Sequence, residues 1–372
     1  MIDVVDFFSG CGGTSTGLEQ AGLQIVLGLD NDPSASATFR ANFPNARFIE
    51  RDIRQISVEA LAPLFVGRTR PILFSGCAPC QPFSKQNRHM TSDDPRRTLL
   101  AEFERFVDRW LPDFILVENV PGMQRVSEGE DGPLYSFVQF LKQHNYSTSM
   151  GVLPALWFGV PQKRDRLILI ASKHSAIALP KATHGPGRRP YATVRDWIGD
   201  LPRVNAGAVH PRDPDHWAAT LSDTNMRRIV ATPEGGGRES WPDELWLDCH
   251  RGHDGHSDVY GRLAWDRPAS GLTTRCISYS NGRFGHPEQH RAITIREAAC
   301  LQTFPRKYRF VGTASSKAEQ VGNAVPPLMA RQIGKCFLLH AKKYSLLSPK
   351  SVERRTPTRK AALFDGGERC RS

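Results

Sequence analysis

A short loop at residues 76–82 holds two cysteines whose spacing fits several kinds of chemistry, Cys77 and Cys80. The loop follows an apolar stretch typical of a strand, and a thiolate at the end of a strand can act as a nucleophile. The C-x-x-C spacing also fits a redox couple or half of a zinc site. The chain has no second C-x-x-C pair and no helix pattern directly after this one. We therefore expect Cys80 to be a nucleophile and Cys77 a small buried filler.

A glycine-rich loop at residues 6–13 lies between a predicted strand and a predicted helix. Glycines at such a corner let a ligand approach the backbone closely. Asp30 ends the next strand, where a carboxylate can accept hydrogen bonds from both hydroxyls of a ribose. Asp52 follows a further strand-like stretch and could accept a hydrogen bond from an adenine amino group. These residues indicate a nucleoside-bearing cofactor, although they do not separate a nicotinamide cofactor from S-adenosylmethionine, and a plain strand-turn-helix corner also stays open.

Three further charged residues lie beside predicted strands. Glu118 directly follows a strand at 114–117, and Arg164 and Arg166 come just before a strand at 167–171. Glu118 is of a residue type that can act as a general acid. The plainer interpretation of the same residues is a surface ion pair, and without the cysteine loop we would prefer it.

The elements that must position these residues alternate along the first half of the chain. Apolar periodicity predicts strands at 4–8, 24–29, 71–74, 114–117 and 167–171, and helices at 14–21 and 34–42. This alternation predicts an α/β fold with a mostly parallel, doubly wound sheet. Because ligands bind beyond the carboxyl ends of such strands, we expect the residues named above to share one rim of the sheet.

The second half of the chain differs from the first in composition and in hydrophobic periodicity. Residues 180–268 lack a regular period and are rich in His, Gly, Pro and Trp, which predicts an irregular, partly β module. Helix-like patterns return at 294–301 and 326–340.

A length of 372 residues with 40% hydrophobic residues is enough for two domains with packed cores. No apolar run reaches the roughly 20 residues of a membrane helix, and the eight scattered cysteines favour a reduced, cytoplasmic protein without a secretory signal.

The formal net charge of +11 is unevenly distributed. It is −2 over residues 1–171, zero over 172–268, +7 over 269–341 and +6 over 342–372. The block at 269–341 fits contacts with nucleic-acid phosphates. The charge beyond residue 342 lies in a polar segment that we expect to be disordered, so the total charge alone is weak evidence for DNA binding.

Five motifs occur in the order found in DNA cytosine-5 methyltransferases of the bacterial restriction-modification type, and the chain resembles that family over residues 3–341. The motifs are residues 6–13, Pro79-Cys80-Gln81, Glu118-Asn119-Val120, residues 162–166 and Gly322-Asn323-Ala324-Val325. The resemblance implies a Rossmann-like S-adenosylmethionine-dependent methyltransferase sheet with a second, smaller irregular/β target-recognition domain. It implies a catalytic and cofactor-binding domain at 1–185, a target-recognition domain and hinge at 186–317, a returning C-terminal helix at 318–341 and a basic tail at 342–372.

The activity implied by this resemblance is methyl transfer from S-adenosyl-L-methionine to carbon 5 of a flipped-out cytosine in a specific double-stranded DNA sequence. Cys80 would add to carbon 6, Glu118 would act as the acid at ring N3, and Arg166 would reach the base oxygen with Arg164 in support. Phe8 would stack on the adenine of the cofactor. The other implied cofactor-binding residues are Gly10, Cys11, Gly12, Gly13, Asp30, Asn31, Asp52, Ile53, Pro79, Leu99, Asn323 and Ala324.

Residues that contact DNA are expected in the loop after Cys80 and in the target-recognition region. The candidates are Gln81, Ser84, Lys85, Arg88, Arg227, Arg228 and Arg251. Such arginines can contact guanine edges or phosphates, although a solvated loop charge explains each of them equally well. Cys249, His250, His253 and His256 are of types that bind zinc, but without a partner pair nearby we expect no metal.

Three other interpretations stay open: an RNA-directed cytosine-5 methyltransferase of the same fold, a catalytically silent DNA-binding protein, and a nicotinamide-dependent oxidoreductase. The Pro79-Cys80-Gln81 motif and the large specificity region favour DNA, and an intact Glu118 argues against a silent protein. The Asn323 motif has no role in an oxidoreductase. The expected partners are double-stranded DNA and a restriction endonuclease that acts on the same site. We expect a monomer without membrane contact.

Overall fold

A computed structural model describes residues 1–78, 99–121, 132–251 and 258–347 of the chain. Its centre is one seven-stranded sheet. The strands are β1 (Asp3–Phe7), β2 (Gln24–Asp30), β3 (Arg47–Glu50), β4 (Ile72–Gly76), β5 (Phe114–Asn119), β6 (Ser147–Pro154) and β7 (Asp165–Ser172). Their order across the sheet is β3-β2-β1-β4-β5-β7-β6.

The direction of the strands decides where the candidate residues meet. The strands from β3 through β5 pair in parallel, β7 runs antiparallel to β5, and β6 runs antiparallel to β7. The carboxyl ends of the parallel strands therefore lie at one edge, and β7 begins at that same edge. Glu118 pairs in register with Ile168, so the residues at the start of β7 lie beside the end of β5.

Burial on both faces explains why the central strands could be predicted, and the predicted α/β sheet is confirmed. β4 and β5 are buried along their whole length. One apolar cluster contains Val5 and Phe74, and the other contains Leu73 and Phe114, as expected for strands covered on both faces. β6 was not predicted, because residues 147–149 at its start are polar and only half-buried.

Ten α-helices lie in the described residues. They are α1 (Gly13–Ala21), α2 (Pro33–Asn42), α3 (Ala62–Phe65), α4 (Leu99–Trp110), α5 (Pro133–Gln143), α6 (Val194–Ile198), α7 (Asp223–Ala231), α8 (Ile295–Leu301), α9 (Ala314–Asn323) and α10 (Pro327–Lys343). α10 packs along α1, which brings the segment between α9 and α10 against the glycine loop. Within the described ranges, no helix has the length and apolar character needed to cross a membrane.

The region after β7 is irregular. It contains a two-stranded hairpin of β8 (Val209–His210) and β9 (Asp213–Trp217), the helix α7 and several short 3-10 turns. Ile229 and Tyr279 belong to a small separate cluster, whereas Leu272 belongs to the same apolar core as the sheet. Since that core crosses both expected domain boundaries, the division at residues 185 and 317 stays a prediction.

The boundary expected for the basic tail, at residue 342, falls inside a helix. α10 continues to Lys343, and Leu346 and Leu347 are partly buried against the core. These apolar contacts order the first residues of the expected tail. Residues 348–372 lie outside the described part of the chain.

Candidate active site

The glycine loop between β1 and α1 is held against the end of β2. The N–H of Gly10 donates to one carboxylate oxygen of Asp30 at 2.8 Å, and the N–H of Asp32 donates to the other at 2.9 Å. Burial raises the pKa of the Asp30 carboxyl above its ordinary value, although both hydrogen bonds act against that shift. Phe8 has a φ of 55°, in the left-handed region that a bulky side chain rarely adopts, so the packing around the loop must impose this conformation.

A cavity of about 250 Å³ lies at the edge of the sheet where the carboxyl ends of β1, β2, β4 and β5 meet. Ligands of doubly wound sheets bind at this edge, at the point where the strand order reverses. Of the residues expected from the sequence, the cavity wall brings together Phe8, Gly10, Cys11, Gly13, Asp30, Asn31, Glu118, Arg166, Asn323 and Ala324. Four of the five sequence motifs, all except Pro79-Cys80-Gln81, therefore contribute residues to one cavity.

One wall of the cavity was missed by reasoning from the sequence. Ser316, Glu319, Gln320 and Asn323 line the cavity from α9, at spacings that place them on one face of a helix. Asn323 alone belongs to a motif. The resemblance implied one helix at 318–341, whereas the structure has two, α9 and α10, and no face of that expected helix was assigned to the site.

Four expected cofactor residues are not among the residues of this wall: Gly12, Asp52, Ile53 and Leu99. Gly12 serves packing, because a Cβ there would lie 2.6 Å from the ring of Phe43. Asp52 caps the turn after β3 and pairs with Arg54 at 2.5 Å, and the hydrogen bond from Arg54 lowers the pKa of Asp52. Ile53 and Leu99 lie in the apolar core. Contact of these four residues with a cofactor stays a prediction.

Glu118 is the second-last residue of β5 and is nearly buried at the cavity. Its Oε1 lies 2.5 Å from the Nε of Arg166, an ionic contact between two side chains of low exposure. Its Oε2 accepts a hydrogen bond from the thiol of Cys77 at 2.6 Å. Groups of the protein thus hold the carboxylate at both oxygens.

The expectation that Cys77 is a buried filler is wrong. Cys77 is only partly buried and lines the cavity, because β4 ends at Gly76 and the next residue leaves the core at the sheet edge. The buried thiol at this cavity is Cys11. Burial raises the pKa of the Cys11 thiol to about 12, which keeps that thiol protonated and a poor nucleophile.

Arg164 connects three segments and does not line the cavity. One terminal nitrogen donates to the carbonyl of Leu272 at 2.9 Å, and the other donates to the carbonyl of Gly322 at 2.8 Å. The chain packs tightly here, since a Cβ at Gly322 would lie 2.3 Å from the carbonyl oxygen of Thr273. This position is consistent with the expectation that Arg164 supports Arg166. A role of Arg164 in catalysis stays a prediction.

The expected nucleophile and its loop lie outside the described residues, namely Pro79, Cys80, Gln81, Ser84, Lys85 and Arg88. Ala78 is the last described residue before them, and it lines the cavity. The side-chain amide of Asn119 donates to the carbonyl of Ala78 at 3.1 Å. The chain therefore enters this segment from the cavity wall, beside the end of β5.

The three arginines expected to contact DNA differ in their surroundings. Arg227 and Arg251 are exposed and lie near acidic side chains, the former 3.6 Å from Glu244. Arg228 is only 8% exposed, and its guanidinium lies over the ring of Trp241 while its Nε donates to a backbone carbonyl at 2.9 Å. This burial contradicts the expected DNA contact of Arg228, whose charge instead supports the small cluster around α7.

The basic block at 269–341 exposes less charge than its total suggests. Arg291 is fully buried and pairs with Glu297 at 2.7 Å, and Arg296 pairs with Asp213 at 2.6 Å. These ion pairs hold β9, α8 and the chain before α8 together. The charge of +7 is therefore partly internal.

The cysteine and histidine run beginning at Cys249 gives no support to a metal site. Cys249 is exposed, and His253 and His256 lie outside the described residues. In the ranges that the structure describes, no three potential ligands come together. The expectation about metals stays a prediction.

Comparison with known proteins extends over nearly the whole chain. The family model for the C-5 cytosine-specific DNA methylases matches residues 2–338. The chain is 42% identical over 338 residues to the Type II methylase M.HgiDII of Herpetosiphon aurantiacus, which covers 89% of this chain and 94% of the relative. It is 33% identical over 337 residues to the Type II methyltransferase M1.HphI of Haemophilus parahaemolyticus, with 90% and 86% covered.

Solved structures share the fold. A protein described as a DNA modification methyltransferase, encoded in an Escherichia coli prophage, matches with a TM-score of 0.71 at 24% identity, over 93% of this chain and 99% of that chain. DNMT2 of Spodoptera frugiperda matches with a TM-score of 0.62 at 18% identity, over 91% and 100%. These two likenesses concern the fold alone. From the family model and the sequence relatives, the chain belongs to the C-5 cytosine-specific DNA methylases and is a DNA cytosine methyltransferase of the S-adenosylmethionine-dependent, Type II restriction-modification kind.

Proposed function

We propose that this enzyme methylates carbon 5 of a cytosine flipped out of a specific double-stranded DNA sequence, through a covalent adduct between Cys80 and carbon 6. The observation that carries the proposal is the placement of Glu118 on the wall of the same cavity as Phe8 and Asp30. The acid proposed for the cytosine ring, Glu118, therefore lies in the same cavity as the proposed cofactor site. Flipping is part of the proposal because a stacked base in a duplex is out of reach of an enclosed site.

Glu118 and Arg166 are proposed to relieve the charge that builds up on the cytosine ring. When the sulfur of Cys80 bonds to carbon 6, the electron pair of the double bond between carbons 5 and 6 moves toward N3 and the exocyclic oxygen. A carboxyl group that gives its proton to N3 supplies general-acid help of about 10²–10⁴-fold. Arg166, 2.5 Å from Glu118, is within reach of the same side of the base. Carbon 5 then takes up the methyl group and loses its proton to solvent, the sulfur departs from carbon 6, and N3 returns its proton to Glu118, which restores the ring.

The residues of the cavity fit a nucleoside-bearing methyl donor. When bound, S-adenosyl-L-methionine supplies an electrophilic methyl group on a sulfonium. Phe8 offers an aromatic face for the adenine, and Asp30 offers a carboxylate for the ribose hydroxyls. A Cβ at Gly10 would meet no atom within 4 Å, so the backbone of the loop leaves room for a ligand.

Methyl transfer to unmethylated genomic DNA, followed by sequencing that reports 5-methylcytosine, tests this proposal. We expect the wild-type enzyme to mark cytosines in one sequence context. Cys80→Ser should leave no mark while binding S-adenosyl-L-methionine with near-normal affinity, and Cys249→Ser, at an exposed cysteine, should keep its activity. If the wild-type protein binds the cofactor and leaves no mark in any context, the proposed reaction is wrong. If Cys80→Ser is fully active, Cys80 is not the nucleophile.

The proposal extends to the setting of the reaction. Type II methylases such as those that this chain resembles belong to restriction-modification systems, so we propose a restriction endonuclease that cleaves the same unmethylated sequence in the bacterial cytoplasm. We also propose that the enzyme acts as a monomer. Light scattering of the enzyme with and without a DNA duplex tests the second point, and a dimer in both samples would contradict it.

A further inference from the structure

A second cavity, of about 370 Å³, lies where the start of β7 meets the irregular region. Lys163, Arg267 and Arg283 contribute cationic side chains to its wall, and Asp258 contributes a carboxylate. Arg283 already pairs with Asp258 at 2.9 Å and donates to the carbonyls of the glycine-rich turn at 235–236. Among the described residues that line this cavity, Lys163 and Arg267 are therefore the two cations without an acidic partner.

Several other exposed arginines of the irregular region have an acidic partner. Arg195, Arg203 and Arg227 each form an ion pair with an aspartate or a glutamate. Among the described residues, no carboxylate forms an ion pair with Lys163 or Arg267, although both side chains are exposed. Two like charges facing one space without a counter-charge repel each other and favour an anion between them.

Backbone hydrogen bonds hold the main chain at both residues. The N–H of Lys163 donates to the carbonyl of Ala269 at 2.9 Å, and the N–H of Ala269 donates to the carbonyl of Pro161 at 2.8 Å. The carbonyl of Arg267 accepts a hydrogen bond from the N–H of Val194 at 3.0 Å. These bonds join the chain before β7 to the irregular region beside the cavity.

The position of Lys163 relates this cavity to the candidate active site. Lys163 precedes Arg166 by three residues, so their Cα atoms are at most about 11 Å apart. Arg166 pairs with Glu118 at the first cavity. An anion held by Lys163 therefore lies within roughly one or two nucleotides of a base that reaches Glu118.

We propose that Lys163 and Arg267 bind a backbone phosphate of the substrate DNA close to the flipped cytosine. The inference rests on the proposed function, because it identifies the anion as a phosphodiester of the strand that is being methylated. The contact positions the strand and carries no sequence information, as phosphate contacts generally do.

Salt dependence of DNA binding tests the inference directly. Affinity for a short mixed-sequence duplex is measured between about 50 and 200 mM salt for wild type, Lys163→Gln, Arg267→Gln and the double variant. Loss of one phosphate contact lowers the slope of log K against log salt by about 0.9, and we expect roughly five- to tenfold weaker binding in each single variant. If both residues hold one phosphate, the double variant loses little more affinity for DNA than either single variant loses.

Lys142→Gln is the matched control. Lys142 is exposed near the end of α5, which leads into the start of β6 at the opposite edge of the sheet, and it carries the same charge as Lys163. This control should keep the wild-type slope. The inference is wrong if the double variant keeps the salt slope of wild type. It is also wrong if the control variant loses as much of the salt slope as the double variant does.

A second measurement separates this inference from the proposed function. Once the methylated sequence is known, duplexes carrying one neutral methylphosphonate linkage at successive positions near the target cytosine are compared. We expect one position at which the neutral linkage weakens DNA binding by wild type but does not weaken binding by the double variant. If the enzyme methylates DNA and no linkage discriminates the two proteins, the phosphate site is wrong while the function stands. If the enzyme methylates nothing, the function fails, and the salt slopes still decide whether the cavity binds phosphate.

Discussion

At the scale of single residues, the thiol of Cys77 decides how Glu118 is held. Removing its hydrogen bond leaves one oxygen of a nearly buried carboxylate without that donor, at a cost of about 1–3 kcal/mol. We expect Cys77→Ala to lower kcat roughly tenfold at unchanged cofactor affinity, whereas Cys77→Ser, which keeps a donor, should stay close to wild type. Steady-state kinetics at saturating cofactor measure this, with Cys249→Ala as the control. Equal losses in the alanine and serine variants would contradict a role for the hydrogen bond.

Asp6 gives the stability of the protein a pH dependence. It lies fully buried in β1 and accepts a hydrogen bond from the hydroxyl of Ser15 at 2.6 Å. Burial raises the pKa of Asp6 from 3.8 to about 6, and the hydrogen bond offsets only part of that shift. Because the folded state holds this proton more tightly than the unfolded chain, the stabilising contribution is complete below pH 3.8 and is lost as the pH rises through about 6.

The variant Asp6→Asn should remove this dependence. Between about pH 5 and pH 7.5, we expect the free energy of unfolding of wild type to fall by roughly 1 kcal/mol more than that of Asp6→Asn. Urea unfolding at the two pH values, with m-values compared, measures the difference. Identical pH dependence in the two proteins would show that Asp6 does not titrate in this range.

At the scale of elements, the contact between α1 and α10 positions the far wall of the cofactor cavity. Alanine is ordinarily favoured over glycine inside a helix by about 0.5–1 kcal/mol. At Gly17 we expect glycine to be favoured over alanine instead, because a Cβ would lie 2.2 Å from the carbonyl oxygen of Pro327 and 2.5 Å from the Cβ of Ala330. We expect Gly17→Ala to destabilise the protein by about 1–3 kcal/mol and to weaken cofactor binding, since the two helices must separate.

Thermal unfolding and a cofactor titration measure both effects. Glu19→Ala, on the exposed face of the same helix, should change stability by no more than about 0.5 kcal/mol. If Gly17→Ala is as stable as this control, the close approach of the helices does not limit the fold.

At the scale of the whole molecule, the net charge divides into internal, surface and terminal parts. Residues 348–372 carry a net charge of +4 and follow the region matched by the family, which ends at residue 338. We expect a chain lacking residues 348–372 to methylate the same sequence context and to bind unrelated DNA more weakly, with a shallower salt dependence. Sequencing of methylated DNA and salt titrations measure the two properties. A changed sequence context would assign the terminal segment a part in recognition.

The sequence by itself determined the α/β class and the parallel strands of the sheet, and it predicted that Asp30, Glu118 and Arg166 lie at one edge of that sheet. Strands buried on both faces read as continuous apolar runs, and motif residues that follow such strands must share one edge. Only the tertiary structure placed Arg228 in a core, Cys77 at the cavity and the face of α9 on its wall. It also brought Lys163 and Arg267 together across about a hundred residues of chain. Exposure and the pairing of distant charges depend on packing between segments, and no local pattern of residue types records that packing.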